Sequence, residues 1–531
     1  MKKKDLPIGE KQIEMAMETL LAYKQSKAVL EKRIVENEQF YRLRHWDVEG
    51  RTPGAIEPTS AWLFNSLAGK HADAMDNYPE PTVLPREEKD EKEAEHLSAI
   101  LPVILERCDF EQIYSDAWWY KLKNGASCYG VFWDGRKEQG LGDIAIARVD
   151  LLNLFWEPGI TNLQDSENIF LVSLVDEKAL KVRYPDFSSF GSVLDIAEYR
   201  SDEYVDNTKK VTVVDWYYKV HKNEKTILHF CKFAGNTLLY ASENDPVYKD
   251  RGFYDHGQYP FVLDVLYPVE GSPVGFGCID LMRDPQVYID KLNKIIMTNA
   301  AMSGKPRFFI KDNGAVNEEE FADWNNQDFV HVAGSLDETN IRQIGVDRLD
   351  GYIVQHLLNK VDELKETSGN RDFNQGASSA GVTAASAITA LQEAGNKLSR
   401  DMYKASYRAY RKICWLMIEL MRQFYTDRRY FRITGTGFMT YSNHDLNREL
   451  SHPSFDIAIK AQKSNPFSRE GQNQMALQLF QAGFFEPRAA LSAITALELM
   501  EFEGKEKVAE KIRKHLQMTE EKNDQHQSGN G

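Results

Sequence analysis

From residue 385 to residue 424 the chain runs without a proline, and Ile388, Leu391, Gly395, Leu398, Met402, Ala405, Ala409, Ile413, Leu416, Leu420 and Phe424 recur at intervals of three and four. That spacing places them on one face of a helix. At 1.5 Å per residue the segment would be a rod of roughly 60 Å, longer than an ordinary globular helix and of the kind that serves as a strut. A chain of 531 residues exceeds one hydrophobic core, so several subdomains must be arranged around this spine.

The segments before the spine alternate in character. Helical periodicity covers residues 11–44, read as a surface helix or pair, then 62–75 and 97–120, with the proline-rich stretch 77–81 ending the second. Residues 126–133 and 143–149 form a predicted hairpin. Residues 211–220 and 226–233 form another, turning through 234–236 into 237–240, and 261–269 is a further β run. Helix returns at 280, with Tyr288, Leu292, Ile295, Asn299 and Met302 on one face and Pro285 taken in the first turn. Residues 307–346 are a compact insert. They hold a β run at 307–311, a short helix whose Asn317 and Glu320 have capping-box spacing, and β runs at 329–332 and 341–345. A helix over 350–365 carries Ile353, Leu357, Val361 and Leu364 as its stripe.

Residues 367–383 hold Gly369, Gly376 and Gly381 among Ser, Asn and Ala, a composition that cannot pack a core of its own and predicts a mobile loop. Beyond the spine come β runs at 430–434 and 455–461, helices over 469–482 and 488–503, a last charged helix to about 517, and a polar tail expected to be disordered. The fold class is therefore α+β.

Composition and motifs exclude most chemistry. The net charge of −15 and pI near 5.4 disfavour tight wrapping of DNA and suit equally a wall past which DNA slides or a chain indifferent to DNA. Five scattered cysteines with no C-x-x-C pair read as buried thiols of a reducing compartment. No secretion signal follows Met1, and no apolar run reaches the roughly twenty residues of a membrane span. A nucleotide-binding loop is missing, because Leu67-Ala68-Gly69-Lys70 and Ser303-Gly304-Lys305 lack the earlier glycine that cradles phosphate. Ser378 and Ser379 lack the flanking glycines of a nucleophile elbow, and no His/Cys set has zinc spacing. Glu318, Glu319 and Glu320 with Asp323 could ligate a divalent cation, but read first as a charged helix turn. Asp427 with Arg428 and Arg429 reads as basic side chains near the negative pole of the spine. Trp118-Trp119-Tyr120 and Trp216-Tyr217-Tyr218 have no cluster of Lys and Arg around them and read as core or subunit-interface packing. No catalytic residue, metal or cofactor is expected.

The order of these elements resembles the portal proteins of tailed bacteriophages. Gly277-Cys278-Ile279-Asp280-Leu281 through Gln286, Ile289, Leu292 and Asn299 is similar to that family's entry into the stem. Ala380-Gly381-Val382-Thr383-Ala384-Ala385-Ser386-Ala387-Ile388 is similar to its passage from tunnel loop to wing helix. Val131-Phe132-Trp133-Asp134 and Phe155-Trp156-Glu157-Pro158 are similar to its wing β region.

The resemblance implies a mixed α/β wing (1–279), a first stem helix (280–305), a small α/β clip (306–346), a second stem helix (347–366) and a tunnel loop (367–384). The long wing helix and wing strands (385–467), a helical crown (468–517) and a tail (518–531) follow. The long C-terminal helical barrel of some relatives is expected to be absent.

Arg371, Asn374 and Gln375 are the expected DNA-channel residues. Glu318, Glu319 and Asp323 would face partners on the clip, and Ile353, Leu357 and Val361 would pack subunits in the stem. The implied assembly is a homo-oligomeric ring, typically of twelve subunits, at one capsid vertex of the virion, built in the host cytoplasm. Its implied partners are terminase, head-completion or adaptor proteins, the major capsid or scaffolding protein, and double-stranded DNA in transit, with no membrane. The competing expectation is a structural scaffold or other ring-forming assembly protein without a DNA channel.

Overall fold

The computed structural model describes residues 7–185, 187, 194–200, 209–222, 225–304, 307–310, 317, 319, 320, 331–333, 341–344, 349–369, 397–433, 437–443, 454–463, 477–483, 490–498, 508, 509 and 511–513. The protein is α+β and divides into two compact units, residues 1–74 with 81–460 and residues 75–80 with 461–531. No described helix is long and apolar enough to cross a membrane.

In the first unit, α1 (Glu10–Tyr41) is one helix. It starts where the Gln12 side chain accepts a hydrogen bond from the Gly9 amide at 3.1 Å, satisfying a donor the helix cannot. Expected as a surface helix or pair, it is a single helix with one face packed inward, where Ile13, Leu20, Ile34 and Phe40 are fully buried, and the other exposed. Its first turns lie on Phe155, Phe170, Val214 and Phe233 of a five-stranded sheet. After α2 (His45–Glu49) and α3 (Trp62–Asp76), residues 77–81 do not merely end a helix. They open strand β1 (Asn77–Pro85), along which Pro79, Pro81 and Val83 are buried in alternation. The helical stretch 97–120 is two helices, α4 (Glu91–Arg107) and α5 (Phe110–Asn124). They part at Asp109, whose φ of 52° is left-handed and cannot continue a helix.

The predicted hairpins form. Strands β2 (Ala126–Asp134) and β3 (Asp143–Val149) pair with Val131 opposite Ile146. Strands β4 (Leu154–Trp156), β5 (Asn168–Asp176), β6 (Lys210–Lys222), β7 (Lys225–Ala234) and β8 (Thr237–Ala241) make an antiparallel sheet in sequence order, with the short helix α6 (Glu177–Arg183) after β5. The run 261–269 divides. Its first part, β9 (Phe261–Val265), pairs with the other edge of β2, while β10 (Tyr267–Val269) turns back onto β11 (Ser272–Phe276). The aromatic triplets are packing groups as expected, with Trp118, Tyr120, Tyr217 and Tyr218 buried.

Helix α7 (Cys278–Gly304) starts earlier than predicted, so Pro285 lies inside it rather than in its first turn and costs it one backbone hydrogen bond. The insert is closed at its base by β12 (Arg307–Ile310) and β13 (Ile341–Ile344), antiparallel with Arg307 opposite Ile344. Asn317 caps as predicted, accepting from the amides of Glu319 and Glu320 at 3.2 and 3.3 Å. Glu320 does not complete the box, because its carboxylate takes the amide of His331 at 2.7 Å instead. Helix α8 (Gly351–Ser368) follows, with Asp350 as N-cap and Gly369 left-handed at its end.

The spine is α9 (Lys397–Phe424) over its described length, residues 385–396 lying outside the described residues. Met402, Ala409, Ile413, Leu416 and Leu420 of the predicted stripe are buried. Arg429 lies beside the C-terminal end of the spine. It donates to the carbonyls of Leu141 and Gly142 at 2.8 and 2.6 Å, and its guanidinium lies over the Tyr425 ring. It opens β14 (Arg429–Ile433), which pairs with β15 (Gly437–Tyr441), and β16 (Phe455–Lys463) follows. In the second unit, helical residues 477–481 and α10 (Ala490–Glu498) pack Leu479, Ala493, Leu497 and Ile512 together.

Candidate functional site

The exit from the β region into α7 is shaped by close backbone approach. Gly125 ends α5 with φ 90°, and a Cβ there would lie 2.3 Å from the Phe276 carbonyl carbon; one on Gly277 would lie 2.6 Å from the Lys123 carbonyl oxygen. Only glycine fits either position. Asp280 then accepts from the Gly277 amide at 2.7 Å and from the Asn37 side chain at 3.1 Å, fixing the start of α7 to α1.

The next turns are held by a buried polar cluster. Nδ1 of His45 lies 2.5 Å from Oδ2 of Asp290, and its Nε2 lies 3.1 Å from the Phe40 carbonyl. The other Asp290 oxygen accepts from the backbone amide and hydroxyl of Ser60 at 3.0 and 2.9 Å and from Gln286 at 3.1 Å. Gln286 in turn accepts from the Leu63 amide at 3.0 Å, so α2, α3 and α7 are tied at one point. Outside this cluster Arg283 bonds Glu36 at 2.9 Å, and Lys291 bonds Glu49 at 3.2 Å.

Beyond Asp290 the helix loses this support. The predicted stripe of α7 is not its core face: Tyr288, Ile295 and Met302 are 54%, 49% and 42% exposed, while Ile279, Met282, Val287 and Ile289 supply the buried face. Helix α8 packs along α7. Its half-buried face carries Ile353, Leu357 and Val361 and ends at buried Leu364, whereas Tyr352 and Leu358 are 69% and 52% exposed. Two antiparallel helices thus project an open apolar surface beside the β12–β13 base. Burying such a side chain is worth about 1.5–3 kcal/mol, and surface of this kind marks a protein interface.

Of the other expected site residues, Glu319 is exposed on the insert. Glu318, Asp323, Arg371, Asn374 and Gln375 lie outside the described residues. The His45–Asp290 cluster was not legible in the sequence.

No covalent chemistry is prepared by the cysteines. Cys128, Cys231, Cys278 and Cys414 are buried, and burial pushes the thiols of Cys231 and Cys414 up to about 12 and that of Cys278 up to about 11. Among the described residues no three His, Cys, Asp or Glu side chains converge where they could ligate an ion.

No curated protein matches the chain. The family model for phage P22-like portal proteins matches residues 30–530, a span holding the C-terminal part of α1, all of the described β-sheets, the α7–α8 pair and the spine. With this match spanning most of its length, the chain belongs to the phage P22-like portal protein family.

Proposed function

We propose that the chain forms a homo-oligomeric ring at one capsid vertex, typically of twelve subunits, and that the ring is the channel through which the genome is packaged and later ejected. The observation that carries this reading is the apolar surface of Tyr288, Ile295, Met302, Tyr352 and Leu358, each of them 42–69% exposed on the α7–α8 pair. A neighbouring copy would cover it. In this reading residues 1–279 and 385–467 are wing, the α7–α8 pair is the stem, 306–346 is the clip and 468–517 is the crown. Glu318, Glu319 and Asp323 on the clip meet terminase during packaging and head-completion proteins afterwards. The loop 367–384 reaches the lumen with Arg371, Asn374 and Gln375, and the terminase supplies the energy.

The test is electron microscopy and native mass spectrometry of the purified chain and of an Ile295→Asp, Leu358→Asp variant. Rings with a central hole are expected for the parent, and their loss for the variant. A parent that stays monomeric would sink the ring, and closed assemblies with no hole would favour a scaffold without a channel.

A further inference from the structure

The spine has a charge asymmetry that neither core packing nor the stem accounts for. Between residues 400 and 412 it carries five basic residues, Arg400, Lys404, Arg408, Arg411 and Lys412, against one acidic residue, Asp401, in a chain whose net charge is −15. Lys404, Arg408, Arg411 and Lys412 fall on one side of α9 and are exposed, opposite the buried Met402, Ala409, Ile413 and Leu416. None of these four forms an ion pair with a described carboxylate. Asp456, which also feels the charge of Arg411, is paired with Arg86 at 2.8 Å, and Asp401 is the one acidic residue exposed on this stretch of the helix.

Successive cations on such a face stand about 6 Å apart, the scale on which a nucleic-acid backbone presents its charges. At the C-terminal end of the row, Arg411 and Lys412 border a cleft of about 590 Å³, with Trp415, Gln258 and Arg86 on its walls. Arginine and amide groups of that kind commonly contact phosphate and sugar.

We infer that the exposed face of α9 is a second DNA contact, a sequence-independent seat for the backbone of double-stranded DNA, separate from the loop 367–384. An acidic protein surface is the other polyanionic occupant. Exposed carboxylate pairs contribute about 0–1 kcal/mol each and must be matched one by one, whereas a phosphate backbone offers continuous charge and gains from counterion release at each contact. Portal proteins work where phage DNA is packaged, so duplex is the polyanion at hand. The inference rests on family membership and not on which segment lines the channel.

The experiment measures binding of a short mixed-sequence duplex to the purified full chain by fluorescence anisotropy across a salt series. The parent is compared with Lys404→Gln, Arg408→Gln, Lys412→Gln and, separately, with Arg371→Glu. Glutamine keeps helix propensity at exposed positions, and an unchanged melting profile verifies the fold. The triple variant is expected to bind about tenfold or more weaker at low salt, with a log–log salt slope shallower by about 0.9 for each phosphate contact removed. Arg371→Glu should leave that part of the slope in place, so failure of the loop assignment is read separately. Parental binding by the triple variant overturns the inference, as does the absence of salt-sensitive duplex binding in the parent. Loss of ring assembly with duplex affinity unchanged also overturns it and assigns the face to a protein neighbour.

Discussion

The Lys360 ammonium lies over the ring of Tyr288, 5.7 Å from its centroid. This contact and the pairing of Arg307 with Ile344 belong to one antiparallel frame, in which α7 runs out, the insert turns and α8 runs back. The frame sets which apolar residues face the partner helix and which remain outside. Two classes of substitution should therefore separate. Leu364→Asp places a carboxylate in a fully enclosed position and should cost several kcal/mol, about the penalty of an unpaired buried charge. Its thermal midpoint should fall sharply. Leu358→Asp changes a mostly exposed residue and should leave the midpoint nearly unchanged while abolishing rings. Equal loss of stability in both would show that the outer face is not free.

The base of α7 depends on Asp290, whose two oxygens serve His45, Ser60 and Gln286. Asp290→Ala strands these partners in a buried site and should destabilise by about 3–5 kcal/mol. Asp290→Asn keeps an acceptor and the volume, and should cost less. Limited proteolysis near residues 50–60 together with thermal unfolding would read both, and a harmless alanine would mean that the cluster is not what holds the helix.

A similar tie joins the spine to the sheets. Lys121 on α5 donates to Asp264 on β9 at 2.7 Å and to Ser406 on α9 at 2.8 Å, and Ser406 donates to Asp264 at 2.6 Å. Desolvation lowers the pKa of this lysine, and the Asp264 carboxylate opposes that shift. Removing one partner, as in Asp264→Ala, should cost about 3–5 kcal/mol, while Lys121→Met with Asp264→Leu should recover much of it. A double variant no better than the single one would show that the pair contributes more than mutual compensation.

These ties explain where the sequence stopped being informative. The hairpins were legible because alternating β-branched and aromatic residues flank short turns, and the spine because its stripe is long and uninterrupted. Helix α7 showed an apolar face holding Tyr288, Ile295 and Met302, but periodicity reveals that a face exists and not what covers it, and these three stand half exposed. The break at Asp109 left no signal, since a left-handed aspartate carries no glycine or proline to mark it. His45 meets Asp290 across 245 residues and Lys121 meets Asp264 across 143, separations over which one sequence gives no pairing information.

Deleting the insert tests the proposed clip. Because Arg307 stands opposite Ile344, a short glycine linker can close the chain in place of residues 308–343 without moving α7 or α8. The variant should fold, form rings and fail to bind terminase in pull-down and packaging assays. Normal packaging would remove the clip assignment.

The last expected effect concerns pH. The Lys27 side chain is buried among α1, Phe155 and Trp156. It donates to the carbonyls of Leu151 and Leu154, the latter at 2.7 Å, and lies 3.8 Å from Glu31. Burial lowers its pKa to about 7, and the charges of Glu31 and then Asp150 keep it from falling further. In the unfolded chain the same amine titrates near its ordinary value of 10.5. Between the two values the unfolded state binds more protons than the folded one, so this group's contribution to stability increases with pH across that window and is lost as pH falls through 7. Each pH unit within it is worth up to about 1.4 kcal/mol. Lys27→Met keeps the stem and removes the titration, though it leaves two carbonyls without their donor. The unfolding midpoint of the parent should therefore rise relative to that of Lys27→Met as pH is raised from 7 towards 10. A difference that stays flat, or that falls, would mean that Lys27 keeps its proton in the folded protein throughout this range.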